Sequence, residues 1–356
     1  MSKKIQDIIE NMTNVNKVCG LVCFPVLNLS SLDLEEFDSF DFYGDNQLDG
    51  VNSKGFYRIS TDVIENVIRE IRSNSNSSII TCYNNAIREG KCPKKISALL
   101  KHTVSATQPD ALVTALLNYY GAPTTLNLKG IKDIDMEFPV DGEEIQNIDA
   151  PLDKIIISID ALNEGQEFLT FEDAEIEDNS FSFESLYSST MTYLTKIFTQ
   201  SPFNELSNEE QDAICSKIRD QLALSFLVRR YICSDSDFDA RNLGIILDHK
   251  NKDVNIINFD YEYAFRYNYS QFRLRTIEDM LANAPEVYNK FIDLSKQLYQ
   301  NLYDEKILMG SERAKLCARL NSNDKQLLDL YSNLENILNI VSRYEQEIGT
   351  TNDKVK

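Results

Sequence analysis

One stretch constrains this chain more than any other: residues 233–265, CSDSDFDARNLGIILDHKNKDVNIINFDYEYAF. It passes through an acidic loop, a short apolar run (243–247), a polar turn (248–253), a second apolar run (254–259) and a further carboxylate, Asp260. Two apolar runs about a polar turn predict a β-hairpin, and a hairpin brings the chain back to where it started. The loop ahead of the first strand then lies beside the residue after the second, so Asp237, Asn242 and Asp260 converge on one end. A carboxylate, a carboxamide five residues on and a second carboxylate across a hairpin supply a base for an acceptor hydroxyl and two hard oxygen ligands for Mg²⁺, the parts a phosphotransferase uses.

Plainer readings of the same residues stand beside this one. Asp235, Asp237 and Asp239 alternate as in a calcium loop, but the sixth position, which needs glycine, is Ala240, and the twelfth, which needs a bidentate Glu, is Ile246. The three carboxylates also suit a surface turn in which they only cap and solvate the loop. Asp260 has the corresponding alternative as a strand-end turn residue.

Composition limits what surrounds the hairpin. At 356 residues the chain can bury a substantial core, as one large or two ordinary domains. An apolar content of 42% is that of a folded protein. The formal charge of −20 disfavours a nucleic-acid or anionic-membrane partner, because a phosphate surface repels it. Seven cysteines without a CxxC pair fit reduced thiols in a cytosolic protein. No apolar run reaches the ~18 residues of a membrane span, and MSKKIQDIIEN lacks a signal-peptide core. A cytoplasmic protein is expected, with delivery into another cell by a leaderless route left open.

In chain order, residues 3–13 have a short helical pattern and 18–29 are strand-like. Residues 33–49 hold seven acidic side chains and no basic one, which reads as a solvated acidic loop or as a docking surface for a basic protein partner. A helix is expected at 61–72, a flexible polar loop at 73–78 (SNSNSS) and a strand at 79–83. Residues 88–101 reverse the local charge with Arg88, Lys91, Lys94, Lys95 and Lys101, and are either a phosphate-accepting surface or a solvated basic loop. The run 96–100 is too short for its period to distinguish strand from helix.

Residues 107–123, TQPDALVTALLNYYGAP, form the clearest helix of the first half. Pro109 suits the first turn, Asp110 the positive helix end, and Gly121 with Pro123 the stop. Leu112, Leu116 and Tyr119 share a face. Strand character follows over 126–140, and KIIISI (154–159) reads as a buried strand leading into a polar connection. Helical periodicity then dominates at 186–198, 212–232, 286–303 and 324–344. The fold class is α+β, strand-rich over 1–159 and mainly helical over 160–356 with one hairpin.

DFDARNLGIIL followed by VNIINFDYEYAF resembles the catalytic segment of HipA-like protein kinases, atypical bacterial serine/threonine kinases that include toxin and translocated effector kinases. ALLKHTV ahead of DALVTALLNYYGAP resembles that family's order of strand, lysine, helix and Gly-x-Pro, and KIIISIDAL resembles its hinge strand. The likeness loosely spans residues 96–300; its specific part is some thirty residues. The resemblance implies a two-lobed, protein-kinase-like fold with an N-terminal lobe over 1–159 and a C-terminal lobe over 160–356. It further implies Asp237 as base, Asn242 and Asp260 as Mg²⁺ ligands, Lys101 on the ATP phosphates, and a protein Ser or Thr hydroxyl as acceptor. A nucleotide-binding or nucleotide-free pseudokinase acting as an interaction module is the alternative.

Three departures accompany the likeness. Asp239 stands where the family commonly has a basic residue or His, and a further carboxylate demands a cation or raises proton affinity in the cluster. There is no GxGxxG; the family's phosphate loop depends less on glycine, and the resemblance lets 73–78 serve as the candidate phosphate loop. The helix offers Lys101 no Glu, only Asp110 at its start.

Overall fold

The computed structural model describes residues 17–22, 26–29, 35–37, 54–60, 95–102, 109–132, 153–159, 165–176, 182–266, 272–305 and 310–354. The expected helices at 3–13 and 61–72, the polar loop at 73–78, the strand at 79–83 and basic residues 88–94 lie outside them, as does most of 33–49.

Strands β1 (Lys17–Val18) and β2 (Leu21–Val22) form a small antiparallel ribbon. A six-stranded sheet follows, built from β3 (Leu27–Asn28), β4 (Glu35–Phe37), β5 (Lys54–Ser60), β6 (Lys95–His102), β7 (Leu126–Lys132) and β8 (Asp153–Ile159). Its order is β3-β7-β8-β6-β5-β4, with β3 parallel to β7 and every other pair antiparallel. The ambiguous run 96–100 is thus a strand, paired on both sides by β5 and β8, and Lys101 stands opposite Ile156 near its end. Part of the acidic segment is also a strand: β4 pairs with β5 at the sheet's edge. Ladder bonds are made by the backbone, and charged side chains suit an edge strand.

A second sheet has the order β11-β10-β9, antiparallel throughout, with β9 (Gln166–Thr170), β10 (Leu243–Asp248) and β11 (Asp253–Asn258). The hairpin is where the sequence put it. β9 corrects the expectation of a purely polar connection after β8: QEFLT is an edge strand, half in solvent, which polar residues tolerate. Gly244 makes that pairing close, since a Cβ there would lie 2.3 Å from Phe168 Cε2.

Helix α1 (Asp110–Tyr120) ends at Gly121, whose left-handed backbone (φ 82°) lets the Ala122 amide reach back to the Leu117 carbonyl. Ten of its eleven residues are buried, so it is packed on all sides rather than along one stripe. Its Tyr120 hydroxyl meets Ser295 at 2.9 Å and its Tyr119 hydroxyl donates to the Leu294 carbonyl. The remaining helices are α2 (Phe183–Ile197), α3 (Asn208–Leu227), α4 (Leu274–Asn283), α5 (Pro285–Asp304), α6 (Gly310–Arg319) and α7 (Asp324–Lys354). α3 starts earlier than its apolar period suggests, because Ser207 and Glu210 form a reciprocal capping box. It continues as a wider π-turn over Val228–Ile232.

Buried apolar side chains from Val18 to Val341 form one contiguous cluster. No disulfide joins the described cysteines, and burial pushes the Cys233 thiol well above its ordinary pKa. Among the described residues no helix is long and apolar enough to cross a membrane.

Candidate active site

The loop before β10 is folded by its own polar residues. Asp239 caps a single 3₁₀ turn, Ala240–Asn242, by accepting the Arg241 amide at 2.8 Å. The Asn242 carboxamide nitrogen donates to the Asp237 carbonyl at 2.6 Å and to Asp237 Oδ2 at 3.1 Å. Across the hairpin, Leu243 faces Asn258, and the Phe259 amide donates to the Asn242 carbonyl at 3.3 Å. Asp260 follows with a left-handed backbone (φ 54°), a conformation that Asp tolerates better than most residues. The chain therefore turns sharply off β11 at that carboxylate.

Lys101 arrives from the six-stranded sheet. Its ammonium lies 2.9 Å from Asp260 Oδ1 and 3.3 Å from Glu262 Oε2, with the lysine side chain 12% exposed. Burial opposes the charge, but the Asp260 carboxylate, then Asp110 and Glu262, outweigh it and raise the lysine's pKa. Asp110 is 5% exposed; burial lifts its pKa to about 6 against the pull of Lys101. The absent Glu of α1 thus has a counterpart in Asp110 and a second in Glu262, which the sequence reading did not single out.

The extra carboxylate, Asp239, has its cation in the same loop. Arg241 Nη2 donates to Asp239 Oδ2 at 2.6 Å and approaches Asp237 Oδ1 at 3.5 Å. The cation that a further carboxylate demands is thus supplied for Asp237, Asp239 and Asp260 alike. Each faces a basic side chain, Arg241 for the first two and Lys101 for the third.

Arg229, in the π-turn after α3, is wholly buried. Its Nε and Nη2 both donate to Asp235 Oδ2, at 2.9 and 2.6 Å. Its remaining bonds go to the carbonyls of Asn242, Phe259 and Asp260. Sequence reasoning passed over it, although a signal was present: Arg229 falls seven residues after Leu222 and three after Phe226, on the apolar stripe of the helix expected at 212–232. Outer support comes from α7, where Asn333 donates to the Ile232 carbonyl and the Ser234 hydroxyl, and Lys325 to the Phe265 carbonyl. The stretch after α1 docks the hairpin's other side: the Asn258 side chain donates to the Pro123 carbonyl at 2.6 Å.

The donor set at this end is oxygen only. With its nitrogen committed to Asp237, the Asn242 carboxamide turns its oxygen away from that carboxylate, and the Asp260 side chain is 38% exposed. One carboxamide and one carboxylate fit Mg²⁺, which keeps several waters and takes few protein ligands. Among the described residues no group of three or more His, Cys, Asp or Glu side chains is arranged to hold a metal ion.

No family model matches the chain, and no curated protein matches it in sequence. Among solved structures it is similar to the crystal structure of a Helicobacter pylori proinflammatory kinase, CtkA, at 11% identity and a TM-score of 0.39, over 72% of this chain and 92% of that one.

Proposed function

We propose that this chain is an ATP- and Mg²⁺-dependent phosphotransferase of the HipA-like protein-kinase type, acting on a Ser or Thr hydroxyl of a protein. One observation carries the reading. Lys101, from a sheet strand 159 residues earlier in the chain, contacts Asp260 at the hairpin end where Asn242 is bonded to Asp237. A cation for phosphates, two oxygen ligands and a base thereby occupy one place, the requirement for a reaction whose catalysis is mostly positioning and electrostatics.

In this reading the residues over 1–159 and 160–356 form the two lobes. Asp237, held by Asn242, orients the acceptor hydroxyl and takes its proton. Lys101 exchanges carboxylate partners for phosphate oxygens of ATP. Asn242 and Asp260 are the side chains that would hold Mg²⁺, which when bound neutralises charge on the phosphates. Residues 73–78 are the candidate phosphate loop, and the acidic segment 33–49 is a candidate site for a basic protein partner.

The test is transfer of labelled phosphate from ATP to protein, compared between the parent and Asp237→Ala. Transfer should be lost in the variant while ATP affinity stays within a few-fold, because Asp237 faces the acceptor rather than the nucleotide. Turnover that survives the substitution removes Asp237 as the base. A parent that binds nucleotide without turnover returns the pseudokinase alternative.

A further inference from the structure

We propose that Arg229 is the positioning residue of this site, a single guanidinium that sets the spacing between the loop bearing Asp237 and Asn242 and the turn bearing Asp260. What it positions rests on the phosphotransferase reading. That it clamps two loops rests on geometry alone.

Arginine presents five N–H donors in one rigid plane, and here three nitrogens of that plane are committed to different pieces of chain. Nη1 donates to the Asn242 carbonyl at 2.9 Å and the Phe259 carbonyl at 3.1 Å; Nη2 donates to the Asp260 carbonyl at 2.8 Å. Nε and Nη2 share Asp235 Oδ2, while Asp235 Oδ1 accepts the Asp237 amide at 3.1 Å. Every residue assigned to the base and the metal is therefore one or two bonds from the same group. The guanidinium carbon also lies 4.9 Å from the Phe238 ring centre and 4.8 Å from that of Tyr261, one ring from each loop.

Stability alone does not explain such a group. Both side chains of the Arg229–Asp235 pair are fully buried, and a buried ion pair is commonly replaced by apolar residues at no loss of stability. What apolar residues cannot do is bond three carbonyls on two loops at once. The site of attachment agrees: Arg229 lies in a π-turn, a distortion that tends to occur at functional positions.

The test uses the full chain with Arg229→Lys, which keeps the charge but replaces a plane of donors by a single ammonium. Hydrogen exchange is measured over residues 235–242 and 258–261, together with melting shifts on adding ATP alone and Mg·ATP. The expected result is exchange at least tenfold faster in both segments, parent-like exchange in α3 and α7, and loss of the Mg-dependent part of the nucleotide shift with the ATP-alone part retained. Parent-like exchange in the two segments, a uniform rise along the chain, or equal loss of both shifts overturns the proposal. If Arg229→Lys does not fold, Asp235→Asn takes its place, since it leaves the three carbonyl bonds intact. It should keep the Mg·ATP shift while turnover falls at least tenfold through the Asp237 amide, and loss of the shift overturns the proposal. A parent without any Mg·ATP shift sinks the phosphotransferase reading instead, and the exchange measurement then decides the clamp by itself.

Discussion

Asp260 shows how one contact changes the physics expected of a residue. As a member of a repelling carboxylate cluster, it would leave the protein no weaker on becoming Asn. Paired with Lys101 at 2.9 Å and 38% exposed, it should instead cost about 1 kcal/mol of ligand-free stability as Asp260→Asn, read from urea unfolding. Lys101 is the complementary case. Lys101→Ala should weaken ATP binding more than adenosine binding, because only the phosphates interact with the ammonium; equal losses in calorimetry would make it a structural lysine. Asp110 adds a pH signature. Its folded pKa of about 6 exceeds the ordinary 3.8 because burial disfavours the charge. The folded state therefore binds more protons than the unfolded between those values, and stability falls as pH rises through them. The difference corresponds to roughly 3 kcal/mol. Asp110→Asn should match the parent near pH 3.5 and exceed it increasingly up to pH 7; a constant difference across that range would contradict the burial argument.

At the scale of elements, the hairpin depends on a glycine that its turn does not require. Gly244 pairs with Thr170 of β9, and an added Cβ would meet the Phe168 ring at 2.3 Å and the Leu169 carbonyl at 3.0 Å. That ring also packs edge-on against Phe259, one residue before Asp260. Gly244→Ala should thus destabilise the protein by about 1–3 kcal/mol, the cost of overpacking, and it should slow phosphoryl transfer as well, through Phe259. A variant with parent stability in thermal unfolding would show that β9 yields freely. α1 teaches a related lesson: its apolar face was legible, but ten buried residues out of eleven mean that neighbours on every side fix its position, and Asp110 with it.

Across the whole molecule, the site is assembled from a six-stranded sheet, a hairpin in a second sheet and helices from both halves of the sequence. A ligand that binds at their meeting point should stabilise the fold globally. At ~100 times its Kd a ligand adds roughly 2.7 kcal/mol, a melting shift of very roughly 2 °C or more for a chain of this length. The expected pattern is a shift with Mg·ATP in the parent, much less with ATP alone, and little with either in Asp260→Asn. No shift in the parent would favour a nucleotide-free interaction module, and one that survives Asp260→Asn would place the metal on another residue.

The sequence by itself determined the hairpin, the strand β8, the stop of α1 at Gly121 and the return of the chain after the hairpin to the loop before it. Each follows from turn chemistry, a short apolar run or capping, which act over a few residues and are readable there. Only the tertiary structure decided that Lys101 meets Asp260 and Glu262, that β9 is a strand and that Pro123 anchors Asn258. Arg229 as the group joining the two loops belongs with these. Its helical position marked it as facing inward, but a charge on an apolar stripe does not reveal its partners. Those are three carbonyls up to 31 residues away and one buried carboxylate, and such bonds form only when separate elements have packed closely enough to exclude water.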